Sequence, residues 1–377
     1  MRYVLVGPAY PLRGGIARFN GRLYCLLRES GHTVLALNFR RQYPGLLFPG
    51  RTQEETGPDS EGVVEAYRVL DSVNPLSWVR TARMAALFRP DAAVFHHWMP
   101  FFAPCYGAVS ALLRAWSHAR IVWICHNLTP HERQPAGSWL NRLGLSAAHA
   151  FVVMSESVES DLLRLRPNAQ YRRLLHPTDQ PAEIPDRAEA RRRLNLPGDV
   201  PVLLFFGYVR RYKGLDLLLA ALARVLAHEN VFLLVAGEFY EPLSDYVRLV
   251  RELGIQDAVE LRDLFVPNDE IPWYFAACDA VVLPYRSATQ SGIVPLAYAY
   301  RRPVVTTAVG GLPEVVRDGR TGVLAPEVNA DSVAEAILRF LELTKQVDWS
   351  VEIEEFRKLM SWDRFVDALE ELVGGKG

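Results

Sequence analysis

Cysteine and lysine are both scarce in this sequence. Its 377 residues hold four cysteines, Cys25, Cys105, Cys125 and Cys278, no two of them close together. That spacing argues against a zinc knuckle and a disulfide framework, and it fits a reducing cytosol. Four lysines stand against 38 arginines. Ordinary surface charge here is therefore arginine, and Lys213, the first lysine, stands out. No D-x-D, H-E-x-x-H or H-x-x-x-H spacing occurs. Neither a carboxylate-held divalent metal nor a histidine-held zinc is indicated, so no metal site is expected. G-x-G-x-x-G is also missing, and Asn38, Phe39 and Arg40 close the second apolar run without an acid. A dinucleotide dehydrogenase is accordingly disfavoured. The opening "MRYVLVGPAY" is broken by Gly-Pro too soon for a signal peptide. The uncharged stretch 92–113 contains His96, His97, Pro100, Pro104 and Gly107. It reads as strand, loop and helix in series rather than a membrane span. Asn127-Leu128-Thr129 matches a glycosylation acceptor by chance in such a chain.

What is present is apolar residue: half of the chain is hydrophobic, and 23% is charged. That is enough for two domain-sized cores. The net charge of −1 conceals an asymmetry. Up to Gln180 there are 20 basic and 13 acidic residues; beyond it there are 22 and 30. A basic first half suits anionic lipid or a phosphorylated substrate, with solvated surface charge as the plain alternative. Short apolar runs at 3–6, 33–39, 92–96, 121–125 and 151–154 alternate with helical patterns. A proline-rich, charged stretch, "HPTDQPAEIPDRAEARRRLNLPGDVP", follows at 176–201. Runs then resume at 202–206, 231–236, 259–261, 279–283 and 303–306. This alternation predicts two α/β domains, each a parallel sheet covered on both faces. The division falls at 1–180 and 181–355, and the final helical stretch, 361–373, could pack on either domain.

Ligands of such sheets bind beyond the carboxyl ends of the strands, so residues just after each apolar run carry the candidates. "GPAYPLRGGIARFNG" places Gly14 and Gly15 at a helix start, where backbone can approach a ligand; a plain turn is the competing reading. "FFGYVRRYKGLDLLL" puts Arg210, Arg211 and Lys213 between a strand and a helix, a setting for a diphosphate. "RIVWICHNLTPHE" puts His126 past a strand, where it could meet a substrate hydroxyl or serve as a satisfied structural histidine. His96, His97 and Trp98 end a neighbouring run and are read as lining the same edge. "ATQSGIVPLAYAYRRPVV", residues 288–305, opens a helix with no charge in its first turn. Backbone amides from Thr289, Gln290, Ser291, Gly292 and Ile293 would suit an anion there. "PLSWVRTARMAALFR", residues 75–89, reads either as an amphipathic membrane-surface helix bearing Arg80, Arg83 and Arg89 or as a helix covering the sheet.

Taken together, "FFGYVRRYKGLDLLLAA" and "YFAACDAVVLPYRSATQSGIVPLAYAYRRPVVTTAVGGLPEVVRDGRTGVL" resemble the GT-B glycosyltransferases, specifically glycosyltransferase family 4. "GGIARFN" and "HNLTPHE" match more loosely. The resemblance implies a GT-B fold of two Rossmann-like doubly wound domains facing a cleft, a nucleotide-sugar on the second and an acceptor on the first, with the last helix, 356–377, returning to the first domain. It implies retention of the anomeric configuration without bound metal or cofactor. Arg210 and Lys213 would neutralise the leaving diphosphate, Gly14 and Gly15 would close over it, and His126 would lie near the donor sugar. Ser291, Gly292 and Ile293 would give amides to phosphate and sugar. Two departures stand out. Tyr208 replaces a frequent arginine, and Thr289 and Ala297 stand where the family usually has two glutamates eight positions apart. Glu238, in "VAGEFYEP", is a positional candidate for one missing carboxylate.

The reading is a retaining, metal-independent glycosyltransferase using a UDP- or GDP-linked sugar. Its acceptor is a glycan or lipid-linked sugar of cell-surface polysaccharide synthesis, and no nucleic acid is expected. The protein would be cytoplasmic, with the basic first domain at the inner membrane face. Two rivals share the fold. One is a non-catalytic nucleotide-sugar-binding or partner subunit; the other is a sugar-nucleotide epimerase.

Overall fold

A computed structural model describes residues 1–45, 53–54, 64–128, 137–181 and 183–375. The chain divides into two compact units, Met1–Leu174 with Asp363–Gly377, and Leu175–Trp362. The first unit opens with β1 (Arg2–Val6), α1 (Gly15–Glu29), β2 (Thr33–Arg41) and β3 (Ala66–Asp71). It continues through α2 (Pro75–Leu87), β4 (Ala92–His97), α3 (Ala103–Trp116) and β5 (Arg120–Cys125). Then come α4 (Gly137–Leu145), β6 (Ala150–Val153), α5 (Glu156–Leu165) and β7 (Tyr171–Arg173).

These seven strands form one parallel sheet in the order β3-β2-β1-β4-β5-β6-β7. The central strands are continuous apolar runs because helices cover both faces, and β4, β5 and β6 are buried at nearly every position. The stretch 92–113 is indeed strand, turn and helix, β4 followed by α3. Among the described residues no helix is long and apolar enough to cross a membrane. Thr129 of the glycosylation-like triplet, and the end of "HNLTPHE", lie outside the described residues.

The second unit contains α6 (Arg187–Arg193), β8 (Val202–Phe206), α7 (Leu215–Val225), β9 (Phe232–Ala236) and α8 (Leu243–Glu252). It continues with β10 (Val259–Arg262), α9 (Ile271–Ala277), β11 (Ala280–Leu283), α10 (Ile293–Ala299) and β12 (Val304–Thr307). It closes with α11 (Leu312–Val315), β13 (Gly322–Ala325), α12 (Ala330–Leu343) and α13 (Trp349–Arg357). Its six strands are parallel in the order β10-β9-β8-β11-β12-β13. The strand order reverses between β8 and β11 here, and between β1 and β4 in the first sheet. At such a switch point adjacent loops leave in opposite directions and open a crevice beyond the strand ends.

The proline-rich stretch at 176–201 belongs to the second unit rather than linking the two. Within it, buried Arg191 donates to the carbonyls of Ala277, Pro197, Gly198 and Val200 and pairs with Asp279 at 2.7 Å. Thr178 donates its amide to the Met360 carbonyl at 2.8 Å and its hydroxyl to the Pro295 carbonyl at 2.6 Å. These bonds move the boundary to 174/175 from the 180/181 expected from sequence, and the return point to 362/363. The last helix, α14 (Trp362–Gly374), joins the first unit from Asp363 onward. Phe365 meets Phe19 edge-on at 5.2 Å, His32 bonds Glu370 at 2.7 Å, and Arg120 donates to the Leu372 carbonyl at 2.9 Å.

Candidate active site

The sequence-derived candidates fall into two groups. Gly14, Gly15 and His126 belong to the first unit; Arg210, Lys213, Glu238 and residues 289–293 belong to the second. In the first unit the loop after β1 is pinned by two buried asparagines. Asn38 of β2 accepts from the Ala9 amide at 3.2 Å and donates to the Ala9 and Tyr10 carbonyls. Asn20 of α1 donates to the Pro8 carbonyl at 2.9 Å. The pinned loop delivers Gly14, at φ 115, as the N-cap of α1. A Cβ at Gly14 or Gly15 would meet nothing within 4 Å, and the first turn carries no acid. The amides and positive dipole end of α1 are thus uncovered by its own side chains.

His96 and His97 end β4 and, by strand alternation, enter opposite faces of the sheet. Both are completely buried. His97 bonds Asn141 Oδ1 at 2.9 Å, and Asn141 donates in turn to the Leu128 carbonyl at 2.6 Å. Burial drives His96 down to about 3, and drives His97 to about 4 against the opposing Asn141 bond. Trp98 lies half-buried against Phe102, its indole N–H donating to the Tyr43 hydroxyl at 3.1 Å. The expectation that these three line an open edge is therefore corrected: they are neutral packing groups. His126 extends the ladder past β5 by donating its amide to the His97 carbonyl at 2.8 Å. Its ring lies edge-on to Phe19 at 5.1 Å, and its Nε2 is 3.2 Å from His96 Nδ1. Phe19 sits one helical turn after Gly15, so α1 contributes both the glycine start and a wall of the histidine.

In the second unit two strand-end glycines set the site. Gly207, at φ 91, follows β8, and Gly237 follows β9 beside it. A Cβ on Gly237 would stand 2.0 Å from the Gly207 carbonyl oxygen, so only glycine permits this approach. Beyond them the two loops are laced together: Val209 N–H donates to the Glu238 carbonyl, and Tyr240 N–H to the Val209 carbonyl. Arg210 lies 4.5 Å above the Tyr240 ring, and Tyr208, where the family often has arginine, packs 5.1 Å from the same ring. Glu238 is buried at the same strand end.

Lys213 folds back over Gly207, whose Cβ position lies 3.4 Å from the Lys213 Nζ and 3.5 Å from Ile293 Cδ1. It is 9% exposed, with its ammonium 5.8 Å from the Tyr285 ring centroid. Among the described residues neither Lys213 nor Arg210 has a carboxylate partner. Burial first, and the Arg210 charge second, draw the Lys213 pKa down to about 7. A buried cation without a counter-ion is costly, and the lowered pKa of Lys213 expresses that cost.

The stretch 288–293 lies across the switch point from Lys213. Arg286 grips Asp216 in the first turn of α7 with two bonds of 2.9 and 2.7 Å and donates its amide to the Tyr212 carbonyl at 2.7 Å. The hydroxyls of Thr306 and Thr307 donate to the Leu283 and Tyr285 carbonyls at 2.8 and 2.5 Å. The turn is thereby fixed on both sides. Thr289 and Gln290 are half-buried, Ser291 is buried, and Gly292 is exposed. The Ile293 amide donates to Ser291 Oγ at 3.2 Å, so this amide is engaged within the turn rather than left for an anion. Ala297 is fully buried in the core, where a carboxylate would be desolvated. The position expected for a second glutamate is thus a packing position in this chain.

Four helices here, α1, α7, α10 and α11, have glycine N-caps (Gly14, Gly214, Gly292, Gly311) that supply no side-chain acceptor. Helices α5, α6, α12 and α13 are capped by Ser155, Asp186, Asn329 and Asp348. A glycine cap leaves the first amides to water or a ligand. Sequence reasoning missed the ring pair Tyr240 and Tyr285 beneath the two cations, and the Arg286–Asp216 clamp. The strand-end glycines in "LLFFG" and "LLVAG" were the readable signal for the close loop approach.

Residues 14–178 match the family described as glycosyl transferase 4-like domain, and residues 200–343 match glycosyl transferases group 1. A D-inositol 3-phosphate glycosyltransferase of Catenulispora acidiphila is 32% identical over 67% of this chain and 64% of its own length. An alpha-D-kanosaminyltransferase of Streptomyces kanamyceticus is 26% identical over 58% of each chain. The chain thus spans less than two thirds of the curated relatives it matches. Among solved structures, sucrose-phosphate synthase from Thermosynechococcus elongatus superposes with a TM-score of 0.77 at 20% identity, covering 99% of this chain and 98% of that one. The Anabaena protein HepE in complex with UDP gives 0.76 at 16% identity, covering 100% of both chains. With both sheets, their strand-end loops and these matches in agreement, the chain belongs to the group 1 glycosyltransferases of GT-B fold.

Proposed function

We propose that this protein is a retaining glycosyltransferase that takes a sugar from a nucleoside diphosphate sugar and needs no bound metal. The observation that carries the reading is Lys213, a buried ammonium with no carboxylate partner among the described residues, at the switch point of the second sheet. A diphosphate is the ligand chemistry that relieves such a cation. As the glycosidic bond breaks, charge builds on the leaving phosphate, and Lys213 with Arg210 would stabilise it more in the transition state than before. In the retaining mechanism we propose, the leaving phosphate itself takes the acceptor proton. The protein's work is then positioning and charge stabilisation.

A thermal-shift and turnover panel of UDP-, GDP- and ADP-sugars tests this, beginning with UDP because HepE was solved with it. Binding that Lys213→Ala abolishes, with sugar transfer to some acceptor, is the expected result. Binding without turnover for any donor and acceptor favours a non-catalytic subunit, and a changed sugar without acceptor favours an epimerase.

The acceptor we propose is a lipid-linked or surface glycan at the cytoplasmic face of a membrane. Helices α2, α3 and α4 lie side by side on the first sheet and contain no acidic residue. Leu76, Leu87 and Trp139 are 80%, 73% and 63% exposed there, beside exposed Arg80, Arg83, Arg114 and Arg142. Apolar side chains among uncompensated arginines suit an anionic lipid surface. Co-flotation with vesicles containing phosphatidylglycerol at low salt, lost in Leu76→Glu with Arg80→Glu, is expected; no flotation of the native chain overturns this part.

A further inference from the structure

Lys213 and Tyr285 stand on two loops of the second unit that are locked together on both sides of each residue. Tyr285 follows β11 and is buried. On one side, the carbonyl of Tyr212, directly before Lys213, accepts at 2.7 Å from the amide of Arg286, directly after Tyr285. On the other, Gly214, directly after Lys213, takes φ 70 against Pro284, directly before Tyr285. A Cβ on Gly214 would stand 2.1 Å from the Pro284 carbonyl oxygen, so the two backbones touch there. The Tyr285 carbonyl accepts in turn from the Thr307 hydroxyl at 2.5 Å, and the Tyr212 ring meets the Tyr285 ring edge-on at 6.2 Å. The backbone of their neighbours thus brings ammonium and ring to 5.8 Å.

Arg210, Arg211, Glu238 and the Arg286–Asp216 pair carry charge on the surrounding loops. Burial first, and Arg210 second, lower the Lys213 pKa, and no carboxylate among the described residues raises it. Burial, and Tyr212 after it, push the Tyr285 phenol up, so the ring is neutral. A neutral phenol ring attracts a cation within about 6 Å of its centroid, most strongly where water is excluded. That attraction involves no formal negative charge. A carboxylate in the same place would pair with Lys213, as Asp216 pairs with Arg286, and would compete with an incoming anion. A ring steadies the ammonium and leaves its charge to be met.

We propose that Tyr285 is a positioning residue whose ring seats the Lys213 ammonium and leaves its charge for the diphosphate of the donor. The inference rests on the reading of Lys213 as the diphosphate-binding cation. It gives the aromatic residue after β11 a part in the reaction that its burial alone would not suggest.

The test is ¹³C-lysine NMR of the full chain, which has four lysines. The Lys213 signal is assigned by its loss in Lys213→Met. Tyr285→Leu removes the ring and should lower the pH midpoint of Lys213 by about one pH unit, while the other three lysines stay in place. UDP affinity at pH 8 should fall about tenfold in the same variant. Tyr285→Phe keeps the ring and should retain both the native midpoint and the affinity. Tyr285→Met serves in place of Tyr285→Leu if that variant melts early. An unshifted Lys213 midpoint without the ring overturns the proposal, as does an equal shift in Tyr285→Phe. A native Lys213 signal that neither UDP nor inorganic pyrophosphate moves overturns instead the reading on which the proposal rests.

Discussion

At the strand ends of the first sheet the chain sets histidine rings, His96, His97 and His126, packed by Phe19, Trp123 and Asn141, the first two kept neutral by burial. At the equivalent ends of the second sheet it sets cations, Arg210 and Lys213, over the rings of Tyr240 and Tyr285. The two sheets share parallel topology, a central switch point and a glycine directly after the first strand, Gly7 in one and Gly207 in the other. Their chemistry is set by the few residues after that glycine. The first unit holds its groups with internal hydrogen bonds, whereas the second leaves its charge uncompensated. We propose that the first edge positions its rings and that the second, whose cations have no carboxylate partner among the described residues, binds the donor diphosphate.

Four changes break or sharpen that contrast. The largest effect falls on the glycines. Gly237→Ala drives a Cβ into the Gly207 carbonyl and should cost about 3 kcal/mol or more, abolishing transfer. Gly7→Ala meets only the edge of the His96 ring at 3.2 Å and should cost about 1 kcal/mol. Thermal melts of the two variants decide whether the second sheet is the tighter one.

Next come the functional groups themselves. Lys213→Met should lower kcat/KM about 10²- to 10³-fold while leaving the melting temperature equal or higher, because a buried uncompensated cation is removed. His126→Gln should lower kcat/KM by no more than about tenfold to a hundredfold. Steady-state kinetics with one donor rank the two, and a larger loss at His126 reverses the assignment of the charge-bearing edge.

The third contrast is in pH. All three shifted groups have lowered pKa values, so the unfolded chain binds more protons and stability rises with pH. For Lys213 the window runs from about 7 up to its ordinary 10.5; for His96 and His97 it runs from about 3 and 4 up to 6.5. Denaturant titrations should show a stability loss as pH falls through each window, the alkaline one vanishing in Lys213→Met. UDP should oppose the alkaline step by re-protonating Lys213, so calorimetry near pH 8 should detect proton uptake on binding. Smallest of all, Arg286→Lys replaces the two-pronged grip on half-exposed Asp216 with a point contact. It should cost less than about 1 kcal/mol of stability and less than about tenfold in rate.

The inner strands were legible because parallel strands covered on both faces read as unbroken apolar runs. Val202–Phe206 appears in the structure as expected, and β1, β2, β4 and β5 differ by a residue or two. The three strands that escaped, β3, β7 and β13, all stand at sheet edges. An edge strand such as "AYRVLD" or "YRR" is only partly covered, so its sequence carries no apolar run to find. The family, with its two-sheet architecture, was legible in "FFGYVRRYKG" and the glycine turn. Which amides and rings are already spoken for was not. Ile293 donates to Ser291, Ala297 lies in the core, and Arg191 in the charged stretch is a buried brace. Those facts depend on partners far apart in sequence, which no local pattern records.

The return of the chain in α14 bears on how the protein is made. Phe19 of the first helix waits for Phe365, and the sheet residue Arg120 waits for the Leu372 carbonyl. The second unit is one unbroken stretch of chain, whereas the first is split by it. During synthesis the first sheet must therefore leave the ribosome with its helix layer incomplete, while the whole second unit is translated behind it. A late stop codon that spares every candidate site residue would still strand the earliest-made core, and its damage would be seen near Phe19 rather than at the new terminus.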